Sequence, residues 1–597
     1  MHVTSSNISP QGSLKLINGS RVAVIGGGPA GSFFTYFLLD LCERLDIKIH
    51  LDVFEAHSFT KTGPAGCNHC GGIVSESLVQ MLATEGITIP KKVIQRGIDS
   101  YVMHTEMGVT KIETPLHEKR IAAMFRGVGP LGSEGVEWAS FDRFLQEMTH
   151  DKGANIILER VKNISKEGRR YTVQTIKGTE GTYDLVAGAV GLNPHSLKLF
   201  ENLKLDFRPP ETTKTFICEF HLGAEEIHRL FGTSMHVFLL DIPRIKFAAL
   251  IPKGDYVTFV MLGKDIDKKL VQTILESPAV KNCFPPEWDI TKLYPCQCFP
   301  KINMAGAIQP FSDGLVLMGD CAVSKLYKNG IGAAYFAGKA AATTAVLHGI
   351  SKSDFQKHYW PTCKKLNFDN FLGKMVFVVT TVIQKSNFLK KGVHRMVQNE
   401  QLIEGNKRFM SMVLWDTFTG SAPYKDILLR TIKPGFWGNF IYNIGAAMFG
   451  MGKKSTAGKT YRDTKELGKL YRKGDAIVTQ GEVGDCLFVI QSGSVEVLHI
   501  QGKKEVYLAT LKKGDFFGEM ALFEKEVRSS TVRALDDVRA LTVDKRMLLT
   551  RIQDDPSMAF RILQKMSSRI RELDNKLSRI KGSDRRNWDK RKEEREE

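Results

Sequence analysis

The sequence predicts a doubly wound α/β domain of Rossmann type with a β-rich insert, an α-helical middle extension and a C-terminal β-roll of jelly-roll type. Three observations predict it. A β-branched run, Arg21–Ile25, ends in a glycine-rich turn, opens a helix and is followed by a second strand-like run, Ile47–Phe54. At about residue 351 the chain turns basic, aromatic and apolar. From Tyr471 to Val543 short strand-like runs alternate with the turns Lys473-Gly474-Asp475, Val483-Gly484-Asp485 and Lys513-Gly514-Asp515.

The 597 residues exceed what one core holds, and 43% hydrophobic with 25% charged residues is a globular composition. The expected division is a flexible start (1–20), an α/β module (21–350) with an inserted domain at about 200–300, a helical extension (351–460), a β-roll with its following helix (461–580) and a charged tail (581–597). Met1–Ser20 is polar and holds no apolar stretch, so no secretory signal is expected. The ten cysteines are then expected as reduced thiols of a cytoplasmic chain.

The turn after the first strand, Gly26-Gly27-Gly28-Pro29-Ala30-Gly31, fits G-x-G-x-x-G. Gly26 permits the tight turn, Gly28 lets backbone approach a pyrophosphate, and Gly31 lets helix and strand sit close. The diphosphate meets free N–H groups at the helix N-terminus. Glu55 ends the second strand, 24 residues after Gly31, where a carboxylate accepts from ribose hydroxyls. NAD and FAD both use this fingerprint. The discriminating segment comes some 290 residues later, as Gly314–Asp320 and then Gly330-Ile331-Gly332 opening an alanine-rich helix. It resembles the second FAD motif of the glutathione-reductase and hydroxylase-type flavoproteins. The resemblance implies FAD, with Gly319 and Asp320 at the ribityl chain and Gly330, Ile331 and Gly332 facing the flavin pyrimidine. A helix N-terminus suits the negative charge of reduced flavin. Trp138–Leu145 resembles the R-x-x-F-D-x-x-L segment of these enzymes, with Asp142 present and the leading Arg absent.

Within that superfamily residues 21–400 resemble the geranylgeranyl reductase family. Cys70-Gly71-Gly72 matches its Cys-Gly-Gly turn near the flavin, and Asn329–Ala341 matches its G-x-G-I-x-x-A-x-x-S-G-x-x-A-A helix. The resemblance implies a hydroxybenzoate-hydroxylase-like fold, an FAD hydride delivered to an isoprenoid C=C bond, and NAD(P)H or a ferredoxin-type protein as electron donor. Two departures stand against a geranylgeranyl substrate and against hydroxylation. The aromatic strand Y-x-W-x-F-P is Phe247-Ala-Ala249-Leu-Ile251-Pro252 here, and Val190 replaces the aspartate of the hydroxylase D-G motif. No W-x-W-x-I-P halogenase motif is present.

Cys67-Asn68-His69-Cys70 is a C-x-x-C beside the expected flavin. Three readings stay open: structural thiols with Cys70 lining the site, a redox pair in which Cys67 and Cys70 act as catalytic residues, and metal ligation together with Cys296 and Cys298. No metal is expected on balance.

Residues 351–460 carry 17 Lys/Arg against 6 Asp/Glu, over half of the net +18 of the chain. Such a stretch attracts anionic lipid, nucleic acid or acidic protein, or is a solvated face. Pro361, Pro423 and Pro434 read as breakers. Pro434–Gly452 has no charge over 19 residues, and with Phe436, Trp437 and Phe440 it reads either as an interfacial helix or as one packed on the α/β module.

The segment Phe517-Gly518-Glu519-Met520-Ala521 through Arg528-Ser529 resembles the phosphate-binding cassette of cyclic-nucleotide-binding domains. The resemblance implies Glu519 on the ribose 2′-OH, Arg528 on the cyclic phosphate, and backbone N–H groups at Gly518, Met520 and Ala521 on the anion. Ser529 stands where alanine goes with cAMP and threonine with cGMP, and decides neither. The alternative for this domain is packing or homodimer formation. No helix-turn-helix has room after Ile580, so DNA is not an expected partner. The resulting expectation is a cytoplasmic, membrane-surface FAD-dependent oxidoreductase acting on an apolar substrate under cyclic-nucleotide control. The competing ones are a flavin-based redox and nucleotide sensor and a flavin–disulfide oxidoreductase.

Overall fold

The computed structural model describes residues 14–63, 70–114, 118–133, 138–290, 296–402, 408–448, 465–484, 486–502, 504–519 and 527–545, with scattered positions from 548 to 574. The chain forms two compact units, one of Met1–Val79 and Ile89–Leu467, the other of Gln80–Thr88 and Gly468–Glu597.

The first unit is built on a six-stranded sheet with the order Phe311–Ser312, Leu315–Leu317, Leu185–Gly188, Arg21–Ile25, His50–Phe54, Asn155–Ile157. Every pairing is parallel except that of the edge strand Phe311–Ser312. A parallel sheet is covered on both faces, so its strands are continuous apolar runs; Val22, Ala23 and Val24 are wholly buried. Helices Pro29–Arg44 and Gly330–Leu347 cross closely because Gly338 has no Cβ, which would stand 2.9 Å from the Ala30 carbonyl oxygen.

A second, seven-stranded sheet forms the β-rich part, in the order Cys296–Cys298, Phe216–His221, Tyr256–Gly263, Ile245–Lys253, Ser234–Phe238, Ser100–Thr105, Gly108–Glu113. The insert expected at about 200–300 is therefore incomplete. Two of its strands come from residues 100–113, through the parallel pairing of Ser100–Thr105 with Ser234–Phe238. Pairing across 130 residues leaves no local trace in a sequence. One face of this sheet, with Met103, Met235 and Val237, joins the core shared with the helical extension. The opposite face, with Phe238, Leu250 and Phe259, packs on helices Ala224–Phe231 and Lys268–Leu275.

In the extension Pro361 breaks nothing. It occupies the first turn of helix Trp360–Lys385, where a missing N–H costs no bond, and a π-helical turn, Phe355–Tyr359, precedes it. Pro434 likewise opens a helix, Pro434–Met448. In that helix Phe436 and Phe440 are buried while Trp437, Ile441 and Tyr442 are exposed. Lys352–Lys385 is long and apolar enough to cross a membrane by length and composition, with a third of its most apolar window buried.

The second unit is a β-roll of two four-stranded sheets, Lys469–Tyr471, Val538–Asp544, Cys486–Ser492, Phe516–Phe517 and Ala476–Val478, Thr531–Ala534, Ser494–Gln501, Lys504–Lys512. Phe488, Ile490, Val495, Phe517 and Val538 form the centre of its core. The described residues between Ala559 and Asp574 are helical.

Candidate functional site

A cavity of about 840 Å³ opens in the first unit where the glycine turn, the Cys70 segment and the start of helix Gly330–Leu347 meet. Local sequence explains the turn. Gly26 has φ +103°, and a Cβ there would stand 2.4 Å from the Ala189 carbonyl oxygen. A Cβ on Gly31 would stand 1.9 Å from the Gly26 carbonyl oxygen, so helix and strand touch backbone to backbone. Pro29 sits at the first helical turn, and Gly26, Gly28, Pro29 and Ala30 line the cavity.

Glu55 also lines the cavity. Its carboxylate accepts the Gly27 N–H at 2.8 Å and the His57 N–H at 2.9 Å. Burial raises its pKa, opposed by those two backbone donors. Asp320 reaches the cavity from the turn Gly319–Cys321, which needs the φ of +69° at Gly319. Cys70, Gly71 and Gly72 line it as well, and Gly72 donates its N–H to Cys70 Sγ at 3.4 Å. Cys67 lies outside the described residues.

Gly330 and Ile331 line the cavity; Gly332 does not. The Gly332 N–H donates to Asn329 Oδ1 at 3.0 Å, and a Cβ on Gly332 would stand 2.3 Å from that same oxygen. Asn329 is the helix N-cap, in left-handed backbone.

Arg126 was missed from the sequence. Its guanidinium forks onto the buried Asp142 at 2.6 and 3.0 Å, and its Nη2 would stand 3.3 Å from a Cβ on Gly28. Burial opposes its charge, and Asp142 more than offsets this, so its pKa is raised. The usable signal was Asp142 itself, an acid in the first turn of helix Phe141–Asp151.

The far wall is apolar. Phe247, Ala249 and Ile251 alternate along one strand into the cavity, facing Met235, Val260 and Phe418. Two groups at this wall carry protons. Lys328 Nζ donates to the carbonyls of Asp416 and Ala422, lies 3.9 Å from the Tyr424 ring centre, and is pushed down to about 7 by burial. The hydroxyl of Tyr327 makes no hydrogen bond among the described residues, and burial pushes it up to about 12. Tyr327 (φ +57°) and Asn329 (φ +52°) are both left-handed, a backbone cost of about 1 kcal/mol or more at each.

In the second unit Arg528 is nearly buried. It donates from Nη1 to the Gly518 carbonyl at 2.7 Å and from Nη2 to the Cys486 carbonyl at 2.8 Å. Two glycines make room for it: a Cβ on Gly484 would stand 2.3 Å from the guanidinium carbon, and one on Gly518 2.5 Å from Nη1. Glu519, also nearly buried, accepts from Arg569 Nη1 of the C-terminal helix at 3.0 Å. Ser529 accepts at its carbonyl from His499 Nδ1. Met520 and Ala521 lie outside the described residues.

Residues 469–555 match the family model of the cyclic nucleotide-binding domain. The same region is 30% identical over 117 residues to a CRP-like cAMP-activated global transcriptional regulator of Mycobacterium tuberculosis, covering 19% of this chain and 52% of that protein. It is 32% identical over 120 residues to the cyclic AMP receptor protein of Thermus thermophilus, covering 20% of this chain and 56% of that protein. The chain thus spans about half the length of these curated relatives. Outside the cyclic nucleotide-binding domain the fold has a solved counterpart. It is similar to a geranylgeranyl bacteriochlorophyll reductase-like protein of Thermoplasma acidophilum, with a TM-score of 0.50 at 12% identity, over 72% of this chain and 100% of that one.

Proposed function

We propose that the chain is an FAD-dependent oxidoreductase that reduces an apolar, isoprenoid-like unsaturated substrate and responds to a cyclic nucleotide. One observation carries the reading: a single cavity joins a glycine-turn anion cradle, with Arg126 at its edge, to an apolar wall of Phe247, Ala249, Ile251 and Phe418. The chain's residues fit FAD. Gly28 leaves open the space a Cβ would take beside Arg126, and Glu55 keeps acceptor capacity beyond its two backbone donors. Bound FAD supplies a two-electron hydride donor, recharged by NAD(P)H or a ferredoxin-type protein. The apolar wall holds the substrate and excludes water from the reacting carbon. Tyr327 donates the accompanying proton, because its hydroxyl is protonated at neutral pH and makes no hydrogen bond among the described residues, whereas the Lys328 ammonium is committed to two carbonyls. Tyr327→Phe is expected to keep full flavin content and cut turnover of an isoprenoid acceptor about 100-fold or more. Stopped-flow rates of acceptor reduction measure this; an unchanged rate removes Tyr327 from the mechanism.

Regulation is read from the second unit. A nucleotide whose ribose engages Glu519 competes with Arg569, and so acts on the helix that carries it.

The same reading locates the protein in the cytoplasm, docked on an anionic membrane surface. Helix Trp360–Lys385 exposes Phe368, Phe371, Met375, Val378, Val379 and Val382 along one side, beside exposed Lys364, Lys365, Lys374 and Lys385. Its other side bears Phe377, which packs on Phe247 and Tyr327 of the cavity wall. An apolar stripe among lysines suits anionic lipid. The chain is expected to sediment with phosphatidylserine vesicles and less with phosphatidylcholine alone, and Phe371→Glu with Val378→Glu to abolish it. Wild-type protein left in the supernatant with both vesicles refutes the docking.

A further inference from the structure

On the face of the seven-stranded sheet turned away from the cavity, three ligand-type side chains converge in an apolar core. His104 and His236 lie on the adjacent parallel strands Ser100–Thr105 and Ser234–Phe238, two positions out of register and on the same side. Cys283 follows the short helix Pro278–Lys281 and joins them from above the sheet. His104 Nε2 and His236 Nδ1 are 3.1 Å apart, and Cys283 Sγ is 3.5 Å from His236 Nδ1 and 3.9 Å from His104 Nε2. All three residues are less than a tenth exposed.

We propose that His104, His236 and Cys283 form a structural metal site for zinc. The geometry carries it. A tetrahedral zinc with Zn–N of about 2.0–2.1 Å and Zn–S of about 2.3 Å needs N–N edges of about 3.3 Å and N–S edges of about 3.6 Å. The N–N separation of 3.1 Å is slightly short of that edge, and the N–S separations of 3.5 and 3.9 Å bracket theirs. Donor chemistry agrees, since imidazole and thiolate together select zinc over magnesium or calcium. The setting holds the rings in place. His104 stacks on Phe238 with ring centres 4.7 Å apart, and His236 meets Phe231 edge-on at 4.9 Å. Among the described residues this is the one group of three or more His, Cys, Asp or Glu side chains close enough to share an ion. Burial already keeps both imidazoles neutral, the form that binds. On binding, the Cys283 thiol gives its proton to solvent and Sγ bonds to zinc, with no change of oxidation state. The ion then ties residues 104, 236 and 283 together, and its role is to hold the sheet whose opposite face forms the cavity wall.

The test is Co²⁺ titration of the full chain after chelator treatment, read in the red region where oxidised flavin does not absorb. One Co²⁺ per chain with tetrahedral d–d bands is expected, displaced by one equivalent of Zn²⁺. Cys283→Ser is expected to weaken binding on the order of 100-fold, and Cys70→Ser to leave it intact. If Cys283→Ser does not fold, judged by flavin content, His236→Gln gives the same readout. Absence of Co²⁺ bands in the wild type, or bands unchanged in both His236→Gln and Cys283→Ser, overturns the site.

Discussion

Gly31→Ala is expected to empty the flavin site. The added Cβ would lie 1.9 Å from the Gly26 carbonyl oxygen and 3.2 Å from Val24 Cγ1. The oxygen belongs to backbone, so no rotamer relieves the clash, and helix Pro29–Arg44 must move off its strand by more than an ångström. Its first turn then no longer presents N–H groups to a diphosphate at the height of Gly28. Overpacking of this kind costs about 1–3 kcal/mol of stability, and the loss of cofactor should exceed that. Flavin absorbance per chain after gel filtration should fall below about a tenth of wild type, a tenfold loss being roughly 1.4 kcal/mol. Gly435→Ala is the control, since nothing lies within 4 Å of its Cβ. Full occupancy in Gly31→Ala contradicts the assignment of this turn.

Arg528→Ala should have the second largest effect. The guanidinium is nearly buried, fixed by two carbonyls and framed by Gly484 and Gly518, so its planar fork is preorganised for two oxygens of a phosphate. Removing it should weaken cAMP binding about 100-fold, roughly 3 kcal/mol, measured by calorimetry. Arg528→Lys should lie between, because an ammonium keeps the charge and loses the fork. Equal affinity in all three proteins would show that the anion sits elsewhere.

What the sequence disclosed, it disclosed through backbone constraint. Gly26, Gly28 and Gly31 are legible because their spacing answers to a turn, an approach and a contact that no side chain permits. Glu519 and Arg528 are legible because one short segment holds both ends of the cassette. Features assembled across the chain were hidden. Arg126 reaches Asp142 from another segment, and strands 100–113 join a sheet formed mainly by residues 216–298. His104, His236 and Cys283 meet only after that sheet has formed. Gly332 is constrained for a different reason. A glycine two places into a helix looks like room for a ligand, and here it is room for the capping side chain of Asn329. Tyr327 drew no notice as one tyrosine among fourteen; only its left-handed backbone, and a hydroxyl with no hydrogen bond among the described residues, single it out.

The central claim is that the first unit holds FAD, and equilibrium dialysis of the apo-chain against FAD tests it most directly. One FAD per chain, with the two visible bands of an oxidised protein-bound flavin and loss of binding in Gly31→Ala, is the predicted result. A chain that folds, binds cyclic nucleotide and takes up no FAD would contradict it.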